Sequence, residues 1–365
     1  MSMKVELLKA VDRVVGRFVV NLLPMARHVE PCSPDSILII RPGGIGDAVL
    51  LIPAVINLKE AFPNASIDIL AEKRNGSIFT LCSMIRRVFF YDRPRDLIGV
   101  FREKYDVVID SEQSHYLSAI IARLVKASLR IGFATNERRR LFSHAVAYNH
   151  DNYEVDSFRA LLAPLGVLPA RNGTPFLKLT DQAMAQAAGL LSGRSHRHLV
   201  AIFPGASIPE KRWGSNRYRV IAKRLLEAGC AVLVVGGPQD QEATTKVSGG
   251  LDVLNLGGRT TLAETAAVLK HADVVLSGDS GVFHVATGLN VPTVSLFGPS
   301  NRSKWAATGE RCIVLSKEID CSPCSIFGST PKCLIDAKCM KDISVDEVFK
   351  AVMSLLKRTQ AQKAN

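Results

Sequence analysis

Short apolar runs alternate with longer amphipathic segments along most of the chain. The runs are rich in β-branched residues and lack polar alternation, which is typical of strands buried on both faces of a parallel sheet. Helical spacing follows two of these runs, over residues 47–62 and 218–228. This order of elements predicts an α/β fold built from βαβ units. The predicted strands cover residues 36–40, 66–70, 105–110, 199–203, 230–235, 274–276 and 293–297.

The alternation restarts in the middle of the chain, and this predicts two domains. A length of 365 residues agrees, at roughly 100–200 residues per domain. We expect Rossmann-like domains over residues 31–178 and 179–345, joined near 172–181, and a C-terminal helix and tail over 346–365 that frays from residue 359. Parallel sheets bind ligands beyond the carboxyl ends of their strands. Two such sheets facing each other would share a cleft suited to an enzyme with two substrates.

The pattern of residues 1–30 predicts a separate amphipathic helix. Apolar side chains recur at helical spacing over residues 3–23, and Lys9, Arg13 and Arg17 recur every four residues on another face. The segment is too charged to span a bilayer, and it lacks the cleavage site of a signal peptide. Two interpretations stay open: the helix lies in an anionic membrane surface, or it packs on its own protein or a partner subunit.

Composition and charge narrow the class of protein. Hydrophobic residues make up 47% of the chain and charged residues 22%, values that exclude global disorder. The sequence has no run of 18 uncharged apolar residues, which excludes a polytopic membrane protein. The formal net charge of +12 indicates an anionic partner: nucleic acid, an anionic membrane face or a phosphorylated substrate.

The first candidate site is the loop that follows the first predicted strand. Its glycines, Gly43, Gly44 and Gly46, let a ligand approach the backbone, and the helix that follows presents free N–H groups. The spacing is neither that of a dinucleotide fingerprint nor that of a P-loop. Asp47, at the end of this loop, has two interpretations: an N-cap of the helix, or a general base that takes a proton from a hydroxyl.

Two further motifs follow strands in the second half of the chain. The turn containing Gly205 and Ser207 precedes the cations Lys211 and Arg212, with Trp213 next, and this arrangement suits a diphosphate. A solvated basic loop is the alternative interpretation.

The third motif opens a helix of small residues after the strand at 274–276. Glycines flank Asp279 and Ser280, so the N-terminus of the helix is open to a ligand. His284 lies one turn further on, near the same end. A lone histidine on a helix is usually structural, but these neighbours favour contact with a ligand for Asp279, Ser280, Gly281 and His284.

Cysteines concentrate near the C-terminus. Cys321 and Cys324 form a CxxC pair whose thiolates can reach one ion, whereas Cys333 and Cys339 are spaced more loosely. Because the chain has no secretory signal and is long enough to bury a core without disulfides, a reducing cytoplasm is the expected location. These four residues are therefore a candidate structural zinc or iron site, with reduced structural cysteines as the favoured alternative.

These elements together resemble family 9 glycosyltransferases, the heptosyltransferases of lipopolysaccharide core assembly. The similar segments are RPGGIGDAVLLIPA at 41–54, FPGAS and EKRW between 203 and 213, GDSGVFHVA at 278–286, PTVSLFGPS at 292–300 and the cysteine-containing tail up to residue 352. The resemblance implies a GT-B fold, in which two Rossmann-like domains face each other across a cleft. It also implies an inverting transfer of heptose from ADP-heptose to a lipid A–core acceptor, with no catalytic metal or other cofactor.

The resemblance also implies roles for particular residues. Asp47 matches the proposed general base, and Lys211 matches a lysine that contacts the donor phosphate. Asp279, Ser280, Gly281 and His284 match a donor-site motif in which threonine is common at the position of Ser280. The N-terminal half would then bind the acceptor and the C-terminal half the nucleotide sugar, on the inner face of the inner membrane.

The sequence also bears on other classes of function. A nicotinamide-dependent oxidoreductase would carry the dinucleotide fingerprint, which is missing. A nucleic-acid-binding protein would show an aromatic-rich basic platform or a helix-turn-helix, so we expect no nucleic acid partner. A non-catalytic nucleotide-sugar binder, and a family member that uses another sugar or a glycan or protein acceptor, stay open.

Overall fold

The computed structural model describes residues 10–31, 33–168, 173–192, 198–326 and 329–364. The chain divides into two compact units, residues 1–176 and 177–365. Each unit is an α/β layer structure with a parallel sheet at its centre. The predicted α/β class is confirmed.

The N-terminal unit alternates strands and helices almost from its beginning. A π-helical turn, Asp12–Gly16, leads into α1, Arg17–Leu22. The strands are β1 Ser36–Arg41, β2 Ser66–Ala71, β3 Arg87–Phe90, β4 Lys104–Asp110, β5 Lys126–Phe133 and β6 His144–Val146. The helices are α2 Ile45–Ala61, α3 Pro94–Arg102, α4 Tyr116–Leu124 and α5 Glu154–Ala160.

The strand order of the first sheet locates its ligand-binding edge. Within the described residues, the sheet has six parallel strands in the order β3-β2-β1-β4-β5-β6. Ile37–Ile40 of β1 is buried on both faces, which explains its unbroken apolar run. The strand order reverses between β1 and β4, and the loops that follow these two strands flank the crevice where such sheets bind ligands.

The C-terminal unit repeats this topology. Its strands are β7 Leu199–Phe203, β8 Ala231–Val234, β9 Val253–Asn255, β10 Val274–Gly278, β11 Thr293–Phe297 and β12 Cys312–Ser316. Its helices are α6 Asp181–Leu191, α7 Ser215–Glu227, α8 Gln241–Ser248, α9 Leu262–His271, α10 Gly281–Gly288, α11 Arg302–Trp305, α12 Lys338–Lys341 and α13 Val345–Ala364. Among the described residues, six parallel strands run in the order β12-β11-β10-β7-β8-β9. The order reverses between β7 and β10.

The C-terminal end of the chain differs from the expectation. The tail predicted to fray from residue 359 continues α13 through Ala364. The hydroxyl of Thr359 is buried and donates to the carbonyl of Leu355 at 2.9 Å, and Gln360 lies 2.5 Å from a ring nitrogen of His198. Contacts within the second unit therefore hold in a helix a segment whose composition alone indicated disorder.

The helix predicted over residues 3–23 is present in its described part. Residues 1–9 lie outside the described residues, and helical structure runs through Asp12–Gly16 and Arg17–Leu22. Buried Val20 joins a cluster that includes Tyr116 and Ala119 of α4. The helix therefore packs on its own protein along one side.

Candidate functional site

Asp47 lies beyond the carboxyl end of β1, in the first turn of α2. Gly44 occupies the N-cap position of this helix, so the interpretation of Asp47 as the N-cap is wrong. A carboxylate three residues inside the helix is favoured by the positive end of the helix dipole. Asp47 is half-buried, and a Cβ on Gly44 would lie only 3.1 Å from its Oδ2. The absence of a side chain at Gly44 therefore leaves room beside the carboxylate.

Arg41, the last residue of β1, is buried beneath this loop. Its Nε donates to the carbonyl of Pro42 at 2.5 Å, its Nη1 to the carbonyl of Ser111 at 2.8 Å and its Nη2 to Oε2 of Glu112 at 3.0 Å. Although burial opposes the shift, nearby carboxylates, Asp47 first among them, raise the pKa of Arg41. Gly43 has φ +103°, a conformation that glycine adopts without strain, as the chain turns above the guanidinium.

A second buried guanidinium, Arg138, supports the loop after β4. It forms an ion pair with Asp110, donates to the carbonyl of Glu112 and lies 3.4 Å from the hydroxyl of Ser118. Burial raises the pKa of Asp110 in spite of this ion pair, because desolvation penalises the carboxylate. Opposing burial, Arg41 and other neighbouring cations hold the pKa of Glu112 below its usual value.

The polar cluster extends to α5. Glu154 is fully buried and accepts hydrogen bonds from Gln113 and, at 2.8 Å, from the hydroxyl of Tyr148. Burial and then this carboxylate raise the pKa of Tyr148 well above its usual range. Sequence reasoning missed this cluster, although one signal was present: the apolar run ends in Asp110, and Glu112 follows two positions later.

In the C-terminal unit, Lys211 and Asp279 meet at the point where the strand order reverses. The Nζ of Lys211 lies 2.7 Å from Oδ2 of Asp279, and Nε2 of His284 lies 3.7 Å from Oδ1. Burial would raise the pKa of Asp279, but Lys211 and then His284 hold it well below its usual range. Asp279 and His284 are buried, whereas the Lys211 side chain keeps 20% of its surface exposed.

The residues around this ion pair have mixed roles. Ser280 is the N-cap of α10, because its hydroxyl accepts from the backbone N–H of Phe283 at 3.3 Å and lies 2.7 Å from the hydroxyl of Ser277. Gly281 begins the helix. Nδ1 of His284 is buried and has no hydrogen-bond partner among the described residues. One ring nitrogen of His284 therefore lies beside Asp279, and the other makes no hydrogen bond to the described residues.

The turn after β7 contributes Gly205 and Ser207 at the same edge of the sheet. A Cβ on Gly205 would lie 2.3 Å from a carboxylate oxygen of Asp240, so only glycine fits this close approach. Burial raises the pKa of Asp240, a residue that sequence reasoning did not identify. Ser207 is exposed.

The two residues after Lys211 point to different environments. Arg212 is exposed. Trp213 belongs to the core: it is 3% exposed, its indole N–H donates to the carbonyl of Ile343 at 2.9 Å, and its ring packs edge-on against Tyr218. Trp213 is thus a structural residue of the C-terminal unit.

The four C-terminal cysteines line one small cavity together with apolar side chains of the same segment. Burial, with the neighbouring thiols, raises the pKa of Cys324 and of Cys339. Cys321, Cys324, Cys333 and Cys339 are free thiols. In the parts of the chain that the structure describes, no group of three or more His, Cys, Asp or Glu side chains is arranged to hold a metal ion. A metal at Cys321, Cys324, Cys333 and Cys339 therefore stays a prediction.

Solved structures with similar topology belong to enzymes that transfer sugars. The chain matches an Escherichia coli ADP-heptose lipopolysaccharide heptosyltransferase II at a TM-score of 0.75 and 22% identity, over 89% of this chain and 99% of that one. It matches a family 9 glycosyltransferase from Veillonella parvula at a TM-score of 0.76 and 22% identity, over 91% of this chain and all of the other. These similarities define a GT-B fold with two Rossmann-like domains, as predicted.

Sequence comparison identifies the family. The family model described as glycosyltransferase family 9 (heptosyltransferase) matches residues 96–334. A lipooligosaccharide heptosyltransferase 2 from Haemophilus influenzae is 28% identical over 292 residues, which are 73% of this chain and 84% of the relative. The chain belongs to glycosyltransferase family 9 and is a glycosyltransferase, as the resemblance in its motifs implied. Lys211 and Asp279 lie inside the matched range, and Asp47 lies before it.

We expect the substitution Glu112→Gln to destabilise the N-terminal unit in a pH-dependent way. Because the pKa of Glu112 is lowered in the folded protein, its ionised form stabilises the fold above its ordinary pKa of 4.5. This contribution is lost as the pH falls through the folded-state value. Removing one partner of a buried ion pair lowers the free energy of unfolding by about 3–5 kcal/mol. Because the amide of E112Q can still form a hydrogen bond, we expect a loss of about 3 kcal/mol at neutral pH.

Urea unfolding at pH 7.5 and pH 3.5 measures this difference. The difference in the free energy of unfolding between wild type and E112Q should be smaller at the lower pH. The control is Glu227→Gln, whose ion pair with Lys223 spans 3.8 Å at the surface and should contribute at most about 1 kcal/mol. An equal gap for E112Q at both pH values would contradict the assigned role of the Glu112 charge.

Proposed function

We propose that this glycosyltransferase moves a heptose from ADP-heptose to an inner-core acceptor of lipopolysaccharide, with inversion at the anomeric carbon. The names of the sequence relatives, which are lipopolysaccharide and lipooligosaccharide heptosyltransferases, support the sugar and the acceptor. The ADP-heptose in the name of the E. coli structure supports the donor. The observation that carries the proposal is the ion pair between Lys211 and Asp279 where the C-terminal sheet reverses its strand order.

In this proposal, the C-terminal domain binds the donor through its diphosphate. One N–H of the Lys211 ammonium is directed to Asp279, and its remaining donors are available to phosphate oxygens. Asp279 holds the ammonium at the end of β10, beside the N-terminus of α10. Free backbone N–H groups there favour an anion. Gly205 and Ser207 line the same edge, where backbone can approach the nucleotide sugar closely.

The N-terminal domain binds the acceptor in this proposal, with Asp47 as general base. A sugar hydroxyl is a weak nucleophile, and a carboxylate within hydrogen-bond reach can take its proton as attack occurs. Arg41 lies close enough to Asp47 for the two charges to interact. The glycines Gly43, Gly44 and Gly46 leave the approach to the carboxylate free of side chains.

The reaction balances as a single displacement. The acceptor oxygen forms a bond to the anomeric carbon, and the bond from that carbon to the ADP oxygen breaks, with its electron pair leaving on ADP. The acceptor proton passes to Asp47. Charge grows on the diphosphate as the bond breaks, and Lys211 with the α10 N-terminus stabilises it there. The proposed reaction uses no metal ion or organic cofactor, and its location on the cytoplasmic face of the inner membrane stays a prediction.

A donor panel tests the function directly. Purified protein should transfer heptose from ADP-heptose to a heptose-deficient lipid A–core acceptor, observed as one added heptose by mass spectrometry. Activity should persist in EDTA. Transfer from another ADP-sugar or from a UDP-sugar instead would replace the proposed donor, and binding of ADP-heptose without any product would favour a non-catalytic binder.

Replacement of Asp47 by alanine should remove the base but leave the donor site intact. We expect a fall in kcat of about 10²–10⁴-fold with an unchanged Kd for ADP, because general-base catalysis supplies about that factor. Single-turnover kinetics and calorimetry separate the two effects. Asp92→Ala, an exposed carboxylate in the same unit, is the control. Transfer by D47A at the wild-type rate would refute the base assignment.

Replacement of Lys211 by methionine should weaken ADP binding. The substitution removes a charge-assisted contact and leaves the Asp279 carboxylate facing the diphosphate, so we expect a Kd about 10–100-fold higher. Calorimetric titration with ADP measures the change. Lys223→Met, a surface lysine on α7, is the control and should bind as the wild type does. An unchanged Kd for K211M would exclude Lys211 from phosphate binding.

A further inference from the structure

The N-terminal helical segment presents a second apolar face that its own protein does not cover. Gly16 and Val20 face the protein and are buried. Phe18 and Leu22 lie on the opposite side with 64% and 68% of their surface exposed. Three further side chains share that exposed face at helical spacing, Val11, Val14 and Val15.

The orientation of this face is set by contacts on the inner side. Both carboxylate oxygens of Asp12 accept backbone N–H groups at the start of α4, from Tyr116 at 3.0 Å and Leu117 at 2.8 Å. A Cβ on Gly16 would lie 2.7 Å from the Cβ of Tyr116, so the two helices approach closely at this glycine. Arg17 pairs with Glu137 at 2.5 Å. The segment is therefore held with its exposed apolar side turned away from the protein.

Basic side chains are exposed on the same helical segment. Arg13 and Arg27 are exposed on it, Arg17 is exposed and pairs with Glu137, and Arg139 is exposed within residues 137–141, which contact α1. Leu117 and Leu124 of the neighbouring α4 add two exposed apolar side chains. Between residues 10 and 29 the one acidic residue is Asp12, which is engaged at α4. Exposed apolar side chains with basic neighbours match the interface of an anionic bilayer.

We propose that this face docks on an anionic lipid surface, with Phe18 and Leu22 inserted at the headgroup boundary and the arginines paired with lipid phosphates. In the described residues, no helix is long and apolar enough to cross a membrane. Because the opposite side of the helix packs on α4, the proposed docking places the helix in the membrane plane. The proposal goes beyond sugar transfer, and vesicle binding measures it without any sugar nucleotide or lipopolysaccharide.

Co-sedimentation of the full chain with liposomes tests the proposal. Wild type should bind phosphatidylglycerol–phosphatidylcholine vesicles, bind pure phosphatidylcholine more weakly, and lose affinity as salt is raised. Phe18→Ser with Leu22→Ser should lower the partition coefficient by about 10-fold or more, because two large apolar side chains no longer leave water. Arg13→Gln with Arg27→Gln should lower binding to the anionic vesicles by about 10-fold.

A matched control separates this face from general surface hydrophobicity. Leu168→Ser with Leu334→Ser removes two leucines that are at least as exposed elsewhere on the chain, and it should bind vesicles as the wild type does. Sedimentation velocity on each protein reports its oligomeric state. The proposal is overturned if wild type ignores anionic vesicles, if F18S/L22S binds them as well as wild type, or if that variant only converts a dimer to a monomer. Retained heptose transfer would not rescue it.

Discussion

Two buried guanidinium groups hold together the edge of the N-terminal sheet that carries Asp47. Arg41 ends β1, and Arg138 reaches the loop after β4, so both act where the strand order reverses. Burying such charges is unfavourable unless each is paired and hydrogen-bonded. Arginine meets this requirement because its planar fork satisfies carbonyls and carboxylates at once. The loops that position the proposed acceptor site therefore depend on these two side chains and on the acids Asp110 and Glu112.

In the C-terminal domain, a smaller polar cluster lies where the strand order of the sheet reverses. Its sheet reverses between β7 and β10, and the buried carboxylate of Asp279 joins the loops there through Lys211 and His284. The Lys211 ammonium keeps part of its surface exposed, whereas Arg41 is fully enclosed. This difference suits the proposed roles. A cation that binds a diphosphate must reach the ligand, and a cation that positions a carboxylate need not.

Sequence patterns predicted the interior strands of the described sheets except β5, because a buried parallel strand requires an unbroken apolar run. Lys126 and Arg130 interrupt the apolar run of β5, and that strand was missed. The strands at residues 199–203 and 293–297 have the predicted ends. Short edge strands such as β6 and β9 gave no such signal, since one side of each is open and few apolar positions are needed. Asp47, Lys211 and Asp279 could be proposed as candidate site residues because each stands in a local motif.

The buried cluster was not predicted, because its pairs join residues far apart in the chain. Arg41 and Glu112 are 71 positions apart, and Arg138 and Asp110 are 28 apart. No local spacing encodes such pairs, although acidic residues at the end of a buried strand, such as Asp110 and Glu112, are a usable signal. The same limit applies to the end of α13, where Gln360 meets His198 across 162 positions. Composition indicated a frayed tail, but the helix continues through Ala364 and contacts a residue that is distant in the sequence.

The N-terminal segment shows why periodicity could not choose between packing and membrane contact. Helical spacing identifies apolar side chains on a helix, but it does not say how many surfaces they cover. Here a glycine and a small number of apolar residues, Gly16 and Val20 among them, suffice for close packing on α4. The bulkier side chains, with Phe18 the largest, remain outside. A helix that needed only to pack on its protein would gain nothing from a second apolar face, since exposed apolar surface has a cost in water. Packing on the protein is therefore observed for one side of the helix, and the proposed membrane contact concerns the other side.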